Sequence, residues 1–451
     1  MDQKAVVEEI EKKKDNRIKF AVTDIDGILR GKIISKSKFL KSLDKKVGFC
    51  NVIFGWDMND AVYDDPSVTG WHTGYPDSYA SIDPSTYRTI PWEREMPFFL
   101  ADFSRSKDMA GVCPRTLLKK IRQRSIDMGY HPQFSNEFEW FNFRETPQSL
   151  KEKNYKDPIP LSPGMFGYSI LRSSQNAPYF NDLYDQLFAF KVPIEGQHTE
   201  TGDGVFEASI TYADILEAAD RAVLFKSAVK EIAYQHELVA SFMAKWNNDL
   251  PGCSGHIHQS LWDKDKEKNV FYDSSRENNI SKILEYYLAG QLHCLPHILP
   301  MYAPTVNSYK RFVEGSWAST TVSWGIGNRT TALRVIPDGA SATRIETRVP
   351  GADANPYLSM AASLASGLYG IKHNLSLDIA KTQGNEYANS ENQPLPASLR
   401  EATDVMKASK LPEELFGKEF TDHFIKTREW EWQQFSKQVT DWELQRYFEI
   451  I

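Results

Sequence analysis

Arg344-Ile345-Glu346-Thr347-Arg348 places two guanidinium groups and a carboxylate at alternate positions. On a strand that spacing turns all three charged side chains to one face. Enclosing such a face is costly unless it handles ions. Two further segments share the period. Glu137-Phe138-Glu139-Trp140-Phe141 sends two carboxylates one way and large apolar groups the other, and Gly255-His256-Ile257-His258-Gln259-Ser260 aligns His256, His258 and Ser260. Three polar strand faces in one chain predict a barrel-like or funnel-shaped site lined with metal ligands and anion-binding arginines.

More carboxylates, Glu195, Glu200 and Glu207, surround the turn Thr201-Gly202-Asp203-Gly204. Clustered in a shielded place, like charges repel, so the set implies a cation. Oxygen ligands with at most one or two imidazoles point to Mg²⁺ or Mn²⁺ rather than Zn²⁺. Any one of these glutamates alone reads better as a solvated strand residue; the pairs and the triplet together do not. Of His256 and His258, one is suited to a metal and the other to a phosphate or carboxylate. His72, His131, His236, His293, His297, His373 and His423 read as ordinary structural histidines, and His198, beside Glu200, is left open. Arg311, Arg329, Arg334, Arg344 and Arg348 fall within forty residues, mixed with glycine and small residues. Guanidinium forks match carboxylates and phosphates. Two metals with several arginines suit phosphoryl transfer, where positioning and charge neutralisation do most of the work. No P-loop or Rossmann fingerprint is present, so a nucleotide must be held another way.

The elements that position these residues are partly legible. A short polar helix over 5–14 precedes strands at Ile18–Ile25 and Gly31–Ile34, joined by a turn at Asp26-Gly27. Short apolar runs broken by Gly, Pro, Asp and Ser over 50–104 predict a small strand-rich domain, with a boundary near 110 dividing 1–110 from 111–451. Thr116–Asp127 reads as helical. Tyr212–Lys245 carries the longest helical period, and Ile280–Leu295 a second. Asn355–Lys372 is small and apolar nearly all round, which predicts a buried helix. Ala397–Ala408 and Glu429–Glu449 are amphipathic. Residues 151–163 and 384–396 read as polar loops, and Phe312–Trp317 as a mobile loop after Arg311.

The chain has 451 residues, 41% hydrophobic and 25% charged, with net charge −7. That composition supports a sizeable core and argues against a nucleic-acid surface. Four cysteines without short paired spacing fit a reducing compartment and give no zinc site. No apolar run is long enough to cross a membrane, and the charged start is not a signal peptide, so a cytoplasmic protein is expected.

These motifs, in this order, resemble the glutamine synthetase family. The matching runs are Glu137–Phe141, Glu195-Gly196-Gln197-His198-Thr199-Glu200 with Glu207, Gly255–Leu261, Asn307-Ser308-Tyr309-Lys310-Arg311, Asn328-Arg329, and Arg344–Arg348 followed by Asn355-Pro356-Tyr357-Leu358. The match is good over 112–372 and looser elsewhere. The resemblance implies an α+β protein, with a small N-terminal β-grasp-like domain and a larger α/β catalytic domain. It implies two or three Mg²⁺ or Mn²⁺ ions per site and ATP as co-substrate. Glu139, Glu200 and Glu207 match the ligands of one metal; Glu137, His256 and Glu346 match those of another on the ATP phosphates. Glu195 and Ser260 match nucleotide contacts. Arg329, Arg334 and Arg344 match phosphate-binding arginines. Gly252, Arg311 and Arg348 match contacts to substrate glutamate, and His258 lines the same region. Asp57, Arg311, Arg329 and Glu346 form the implied catalytic set. The implied assembly is a homo-oligomer, commonly a dodecamer of two hexameric rings with sites shared between subunits.

One departure bears on substrate. Ammonia-using members carry a glutamate six residues past the arginine of the Asn-x-x-Lys-Arg motif; here that position is Trp317. An indole neither takes a proton nor pairs with ammonium, but it packs against an alkyl or aryl amine. The family's ammonium-side aspartate is retained as Asp57 in Gly55-Trp56-Asp57, so Trp56 and Trp317 are expected to flank an apolar pocket. The expected reaction activates the glutamate γ-carboxylate with ATP and joins it to a small organic amine, giving a γ-glutamyl amide. The alternatives are an ammonia-using glutamine synthetase, a γ-glutamylpolyamine synthetase, and a catalytically inactive structural relative. Tyr387 lies near the position of a nucleotidylated tyrosine in some bacterial members, but its flanks match poorly.

Overall fold

The computed structural model describes residues 3–43 and 46–451. Six strands form the N-terminal sheet: β1 Arg17–Thr23, β2 Leu29–Ser35, β3 Val47–Cys50, β4 Asp77–Ile82, β5 Arg88–Ile90 and β6 Met96–Asp102. Their order is β2-β1-β6-β4-β3, with β5 pairing β6. The first and last strands, β1 and β6, lie side by side and parallel. With a hairpin on one flank and the helix Lys36–Leu43 packing Phe39 onto Phe99 (centroids 4.6 Å apart), the arrangement is β-grasp-like.

β6 is buried at every position. Its alternation explains how the two sheets share one molecule. Phe99 and Ala101 face the N-terminal core with Phe20 and Val22, while Phe98 and Leu100 join the main core of the larger domain. A strand with two apolar faces is a strand between two cores.

The larger sheet has nine strands: β7 His131–Phe143, β8 Ile194–Thr199, β9 Val205–Ile210, β10 Ala213–Asp214, β11 Val239–Ser241, β12 Gly255–Trp262, β13 Trp324–Ile326, β14 Leu333–Ile336 and β15 Arg344–Thr347. The order is β13-β14-β15-β12-β7-β9-β8, with β10 and β11 on the two ends of β7. One face is covered by helices. Phe138 and Trp140 pack on Phe225 of the helix Ile215–Gln235, with centroids 5.7 and 5.6 Å apart. On that same side Gln259 accepts from the Tyr287 hydroxyl (2.7 Å) and donates to Thr347 Oγ1 (2.7 Å), tying β12 to β15. The helices Lys282–Ile298 and Pro356–His373 pack closely, since a Cβ on Gly290 would stand 2.3 Å from the Ser366 carbonyl oxygen.

The predicted helix over 212–245 is shorter. Residues 213–214 pair with β7, Asp214 caps the helix by accepting from Leu216 N–H, and the chain returns as β11 after Glu237 takes a positive φ. The predicted helix over 429–449 is two, Lys418–Ser436 and Asp441–Tyr447, the second opened by a Thr440–Glu443 capping box. The N-terminal helix, predicted over 5–14, spans Gln3–Lys12.

A closed charge cluster joins the parts. Arg115 donates to both oxygens of Asp220 (2.8 Å each) and to Asp102 (2.7 Å), and lies 3.0 Å from Asp83. Lys119 reaches Asp102 (2.5 Å) and the Tyr357 hydroxyl donates to Asp220 (2.6 Å). The β1–β2 turn is held by distant chain: Asn355 donates to the carbonyls of Asp24 and Ile25, and Arg428 to Asp26 (2.6 Å). Among the described residues no helix is long and apolar enough to cross a membrane.

Candidate active site

Register builds the open face of the large sheet. Residues directly opposite in an antiparallel pair share a face. His198 on β8 opposes Glu207 on β9, and Glu207 opposes Glu139 on β7. One step along, Ser209 opposes Glu137, which opposes His256 on β12. In the next row Ser135 opposes His258, His258 opposes Glu346 on β15, and Glu346 opposes Arg334 on β14. Three rows across six strands thus concentrate carboxylates, imidazoles and the Arg334 guanidinium on one surface.

Two groups on this surface bring ligand atoms within 4.8 Å of one another: Glu137, His256 and Glu346, and His198, Glu200 and Glu207. In the first, His256 Nδ1 is 3.5 Å from Glu137 and 3.4 Å from Glu346. His256 is 4% exposed, and neither ring nitrogen has a hydrogen-bond partner in the chain. Buried polar atoms are nearly always partnered, so an orphaned imidazole between two carboxylates fits a cation ligand. Ser209 donates to the other side of Glu137 (2.7 Å). Burial acts to raise Glu137, but the His256 and His258 imidazoles outweigh it and hold the carboxyl below its usual range. Burial likewise opposes the lowering of Glu346, which Arg348 and the two imidazoles bring to about 2. Glu346 accepts from Arg334 (2.9 Å) and from Arg348.

In the second group His198 Nε2 is 3.2 Å from Glu207, with Nδ1 3.7 Å from Glu200. Burial first, and then Glu137 and Glu139, push Glu207 up to about 8 despite His198. The repulsion among these carboxylates is of the kind a divalent cation relieves. Glu139, facing Glu207 across the ladder, accepts from Ser254 N–H (2.6 Å) and so also braces the loop before β12. Oxygen-rich sets with one imidazole each suit Mg²⁺ or Mn²⁺.

The remaining predicted residues border the same face. Glu195, Ser260, His258 and Arg344 line a cavity of about 280 Å³ together with Tyr212 and Trp262. Arg344 donates to His258 Nδ1 (3.3 Å) and the Ala342 carbonyl (2.9 Å). Arg311 is 2% exposed and donates to Ser254 Oγ (3.2 Å) and the Val349 carbonyl. Gly252 is packed against it: a Cβ there would stand 2.6 Å from Arg311 Cγ and 2.4 Å from the Ala244 carbonyl. Arg348 donates to the Arg329 carbonyl (3.0 Å), and its Nη2 reaches the Trp317 carbonyl (3.5 Å). Arg329 is exposed, and it borders one cleft with Trp317. Trp317 is 57% exposed and has φ +62°. The Tyr387 hydroxyl donates to the neighbouring Ala318 carbonyl (3.0 Å).

A single chain does not bring Trp56 and Asp57 to this face. Trp56 lies under the Arg30 guanidinium (5.2 Å), and Asp57 accepts from Trp430 Nε1 (3.0 Å). Sequence reasoning left His198 open and passed over Tyr168, whose ring stacks on His198 with centroids 4.3 Å apart. The period-two run Gly196-Gln197-His198-Thr199-Glu200 gives no sign that His198 opposes Glu207, since only the β8–β9 register shows it.

The profile of the glutamine synthetase catalytic domain matches residues 111–447. The chain is 51% identical over 450 residues to type-1 glutamine synthetase 2 of Dictyostelium discoideum, covering 99% of this chain and 86% of that protein. It is 35% identical to a glutamate–isopropylamine ligase of a Pseudomonas species (98% and 97% covered) and 34% identical to a gamma-glutamylethanolamide synthetase of Streptomyces coelicolor (95% and 92% covered). A solved GmaS/ADP complex superposes with TM-score 0.85 at 26% identity, covering 98% of this chain and 99% of that one. A candidate metal site of carboxylates and imidazoles on a two-sheet α/β scaffold is what these features define, and the chain belongs to the glutamine synthetase family. It is an ATP-dependent carbon–nitrogen ligase acting on glutamate with ammonia or an amine.

Proposed function

We propose that this enzyme joins L-glutamate to a small organic amine, giving an N-substituted γ-glutamyl amide. The observation that carries the reading is Trp317. It stands where ammonia-using members carry a glutamate, borders the cleft of Arg329, and offers its carbonyl to Arg348. An exposed indole there supplies an apolar wall and no base for ammonium. The isopropylamine- and ethanolamide-forming relatives show that the family takes such substrates.

In this reading Glu137, His256 and Glu346 would hold one divalent ion and Glu139, Glu200 and Glu207 the other, with His198 beside them. Such ions neutralise phosphate charge during transfer. Glu195 and Ser260 contact the nucleotide, and Arg329, Arg334 and Arg344 its phosphates. Gly252, His258, Arg311 and Arg348 bind glutamate. A γ-carboxylate oxygen of glutamate attacks the terminal phosphorus of ATP, the bond to ADP breaks, and γ-glutamyl phosphate forms. The amine nitrogen then attacks the acyl carbon, inorganic phosphate leaves, and the nitrogen loses a proton. Asp57 is assigned to the amine side, reaching a neighbouring subunit's site in a ring-shaped homo-oligomer. Exposed Phe166, Ile170, Leu171 and Phe448 suit such contacts.

A second reading, ammonia as the nitrogen source, is favoured by the 51% identical relative named a glutamine synthetase. The test is phosphate release from ATP with Mg²⁺ and glutamate across ammonia, methylamine, ethylamine, isopropylamine, ethanolamine, aniline and putrescine, with products weighed by mass spectrometry. A kcat/KM for one organic monoamine above that for ammonia is expected. Trp317→Glu should then move the amine-to-ammonia ratio towards ammonia by about tenfold or more. A wild-type preference for ammonia selects the second reading.

A further inference from the structure

The helix Lys418–Ser436 runs beside the loop that carries Asp57 and grips it at several points. His423 meets Phe54 edge-on (6.4 Å), Lys426 pairs with Asp65 (3.0 Å), and Trp430 Nε1 donates to Asp57 Oδ2 (3.0 Å). The other carboxylate oxygen, Oδ1, accepts from Asn59 N–H (2.9 Å) and Ala61 N–H (3.0 Å), which closes the turn. Tyr63 holds the indole edge-on at 5.7 Å. The carboxylate plane is therefore fixed from both ends, by two backbone donors on one oxygen and one side-chain donor on the other. The choice of donor matters. An indole N–H orients a carboxylate without cancelling its charge, whereas a lysine or arginine at the same place would neutralise it.

We propose that Trp430 is a positioning residue for the nitrogen substrate. It holds Asp57 so that the carboxylate keeps both its direction and its full charge for an ammonium or alkylammonium ion. This rests on the assignment of Asp57 to the amine side. It places part of the determinant of amine affinity on the C-terminal helix, far in sequence from every metal and phosphate residue.

The test is steady-state kinetics of the full-length enzyme with the nitrogen substrate, glutamate and ATP varied in turn. Trp430→Phe keeps a ring and removes the donor; Trp430→Met is a second donor-free probe should the first not fold. Trp430→His restores an N–H at the same place, because imidazole Cδ2–Nε2 overlays indole Cδ1–Nε1. Losing the bond should raise the KM for the nitrogen substrate about fivefold, leave the KM values for glutamate and ATP within twofold, and be rescued in Trp430→His. Asp57→Asn should raise the same KM at least as far, with no further loss in the double variant. If Asp57→Asn moves that KM and Trp430→Phe does not, the positioning role is wrong and the assignment of Asp57 stands. If Asp57→Asn leaves it unmoved, the assignment falls and the proposal with it. If all three KM values rise together without rescue by histidine, Trp430 is only packing.

Discussion

Arg115 and Glu346 are each 1% exposed, yet their surroundings are closed in opposite ways. Arg115 directs its donors to Asp83, Asp102 and Asp220, and the Tyr357 hydroxyl takes up a remaining lone pair of Asp220. Donors and acceptors match within the chain. Glu346 also has two guanidinium partners, but beside it stand His256, with two unpartnered nitrogens, and Glu137. Further along the face, burial and then the neighbouring Glu137 and Glu139 carboxylates push Glu207 up to about 8. The charge of the Arg115 cluster is satisfied by the fold itself, while the site keeps a surplus of acceptors matched to cations.

The largest expected break of that contrast is Glu346→Ala. It removes a proposed metal ligand and unpairs two guanidinium groups, so ATP-dependent phosphate release should fall by about 10³-fold or more. Turnover within tenfold of wild type would make Glu346 a structural partner of the Arg115 kind.

Arg115→Ala should do the reverse. Denaturant unfolding should show a loss of about 3–5 kcal/mol, with the kcat of folded enzyme unchanged. Burial pushes Asp83 and Asp102 up, but Arg115 and Lys119 outweigh it and hold both below the ordinary carboxylate range. Their stabilisation is present above the unfolded value of 3.8 and is lost as pH falls through the lower folded values. Wild type should therefore lose stability below about pH 4, and Arg115→Ala should show a flatter acid limb in the same melts.

The smallest effect sharpens the contrast from the metal side. Mn²⁺ at about a hundredfold over its Kd should stabilise the wild-type protein by about 2.7 kcal/mol. Glu207→Gln should reduce that shift, and Arg115→Ala should leave it intact. Equal thermal shifts in all three proteins would show that the second cluster holds no ion.

Much of the site was readable because period two is a strong signal when charged and aromatic residues alternate. Glu137, Glu139, His256, His258, Glu346 and Arg348 came from spacing alone, and the sheet places Glu137, His256, His258 and Glu346 in adjoining rows. What spacing does not carry is register between strands far apart in sequence. His198 pairs with Glu207 only because β8 and β9 fold back on each other, and Tyr168 reaches His198 from a loop. The long predicted helices broke for local reasons: an Asp214 cap at one, a Thr440 capping box at the other. Those caps were visible residues, but a continuous apolar period outweighed them. Asp57 and Trp430 had no joint signal, being 373 residues apart.

The tie between the β1–β2 turn and the rest of the molecule has a consequence in the order of synthesis. Arg428 grips Asp26 across 402 residues, and Asn355 holds Asp24 across 331. On a ribosome adding about 5–20 residues per second, the β1–β2 turn waits roughly 20–80 seconds between emerging and receiving its last anchor. In the early part of that interval, before Phe190, which packs 6.0 Å from Phe98, and its neighbours have been made, Phe98 and Leu100 of β6 have no opposing core. The nascent protein therefore shows chaperones and proteases the outer face of a strand that, in the finished molecule, is buried at every position.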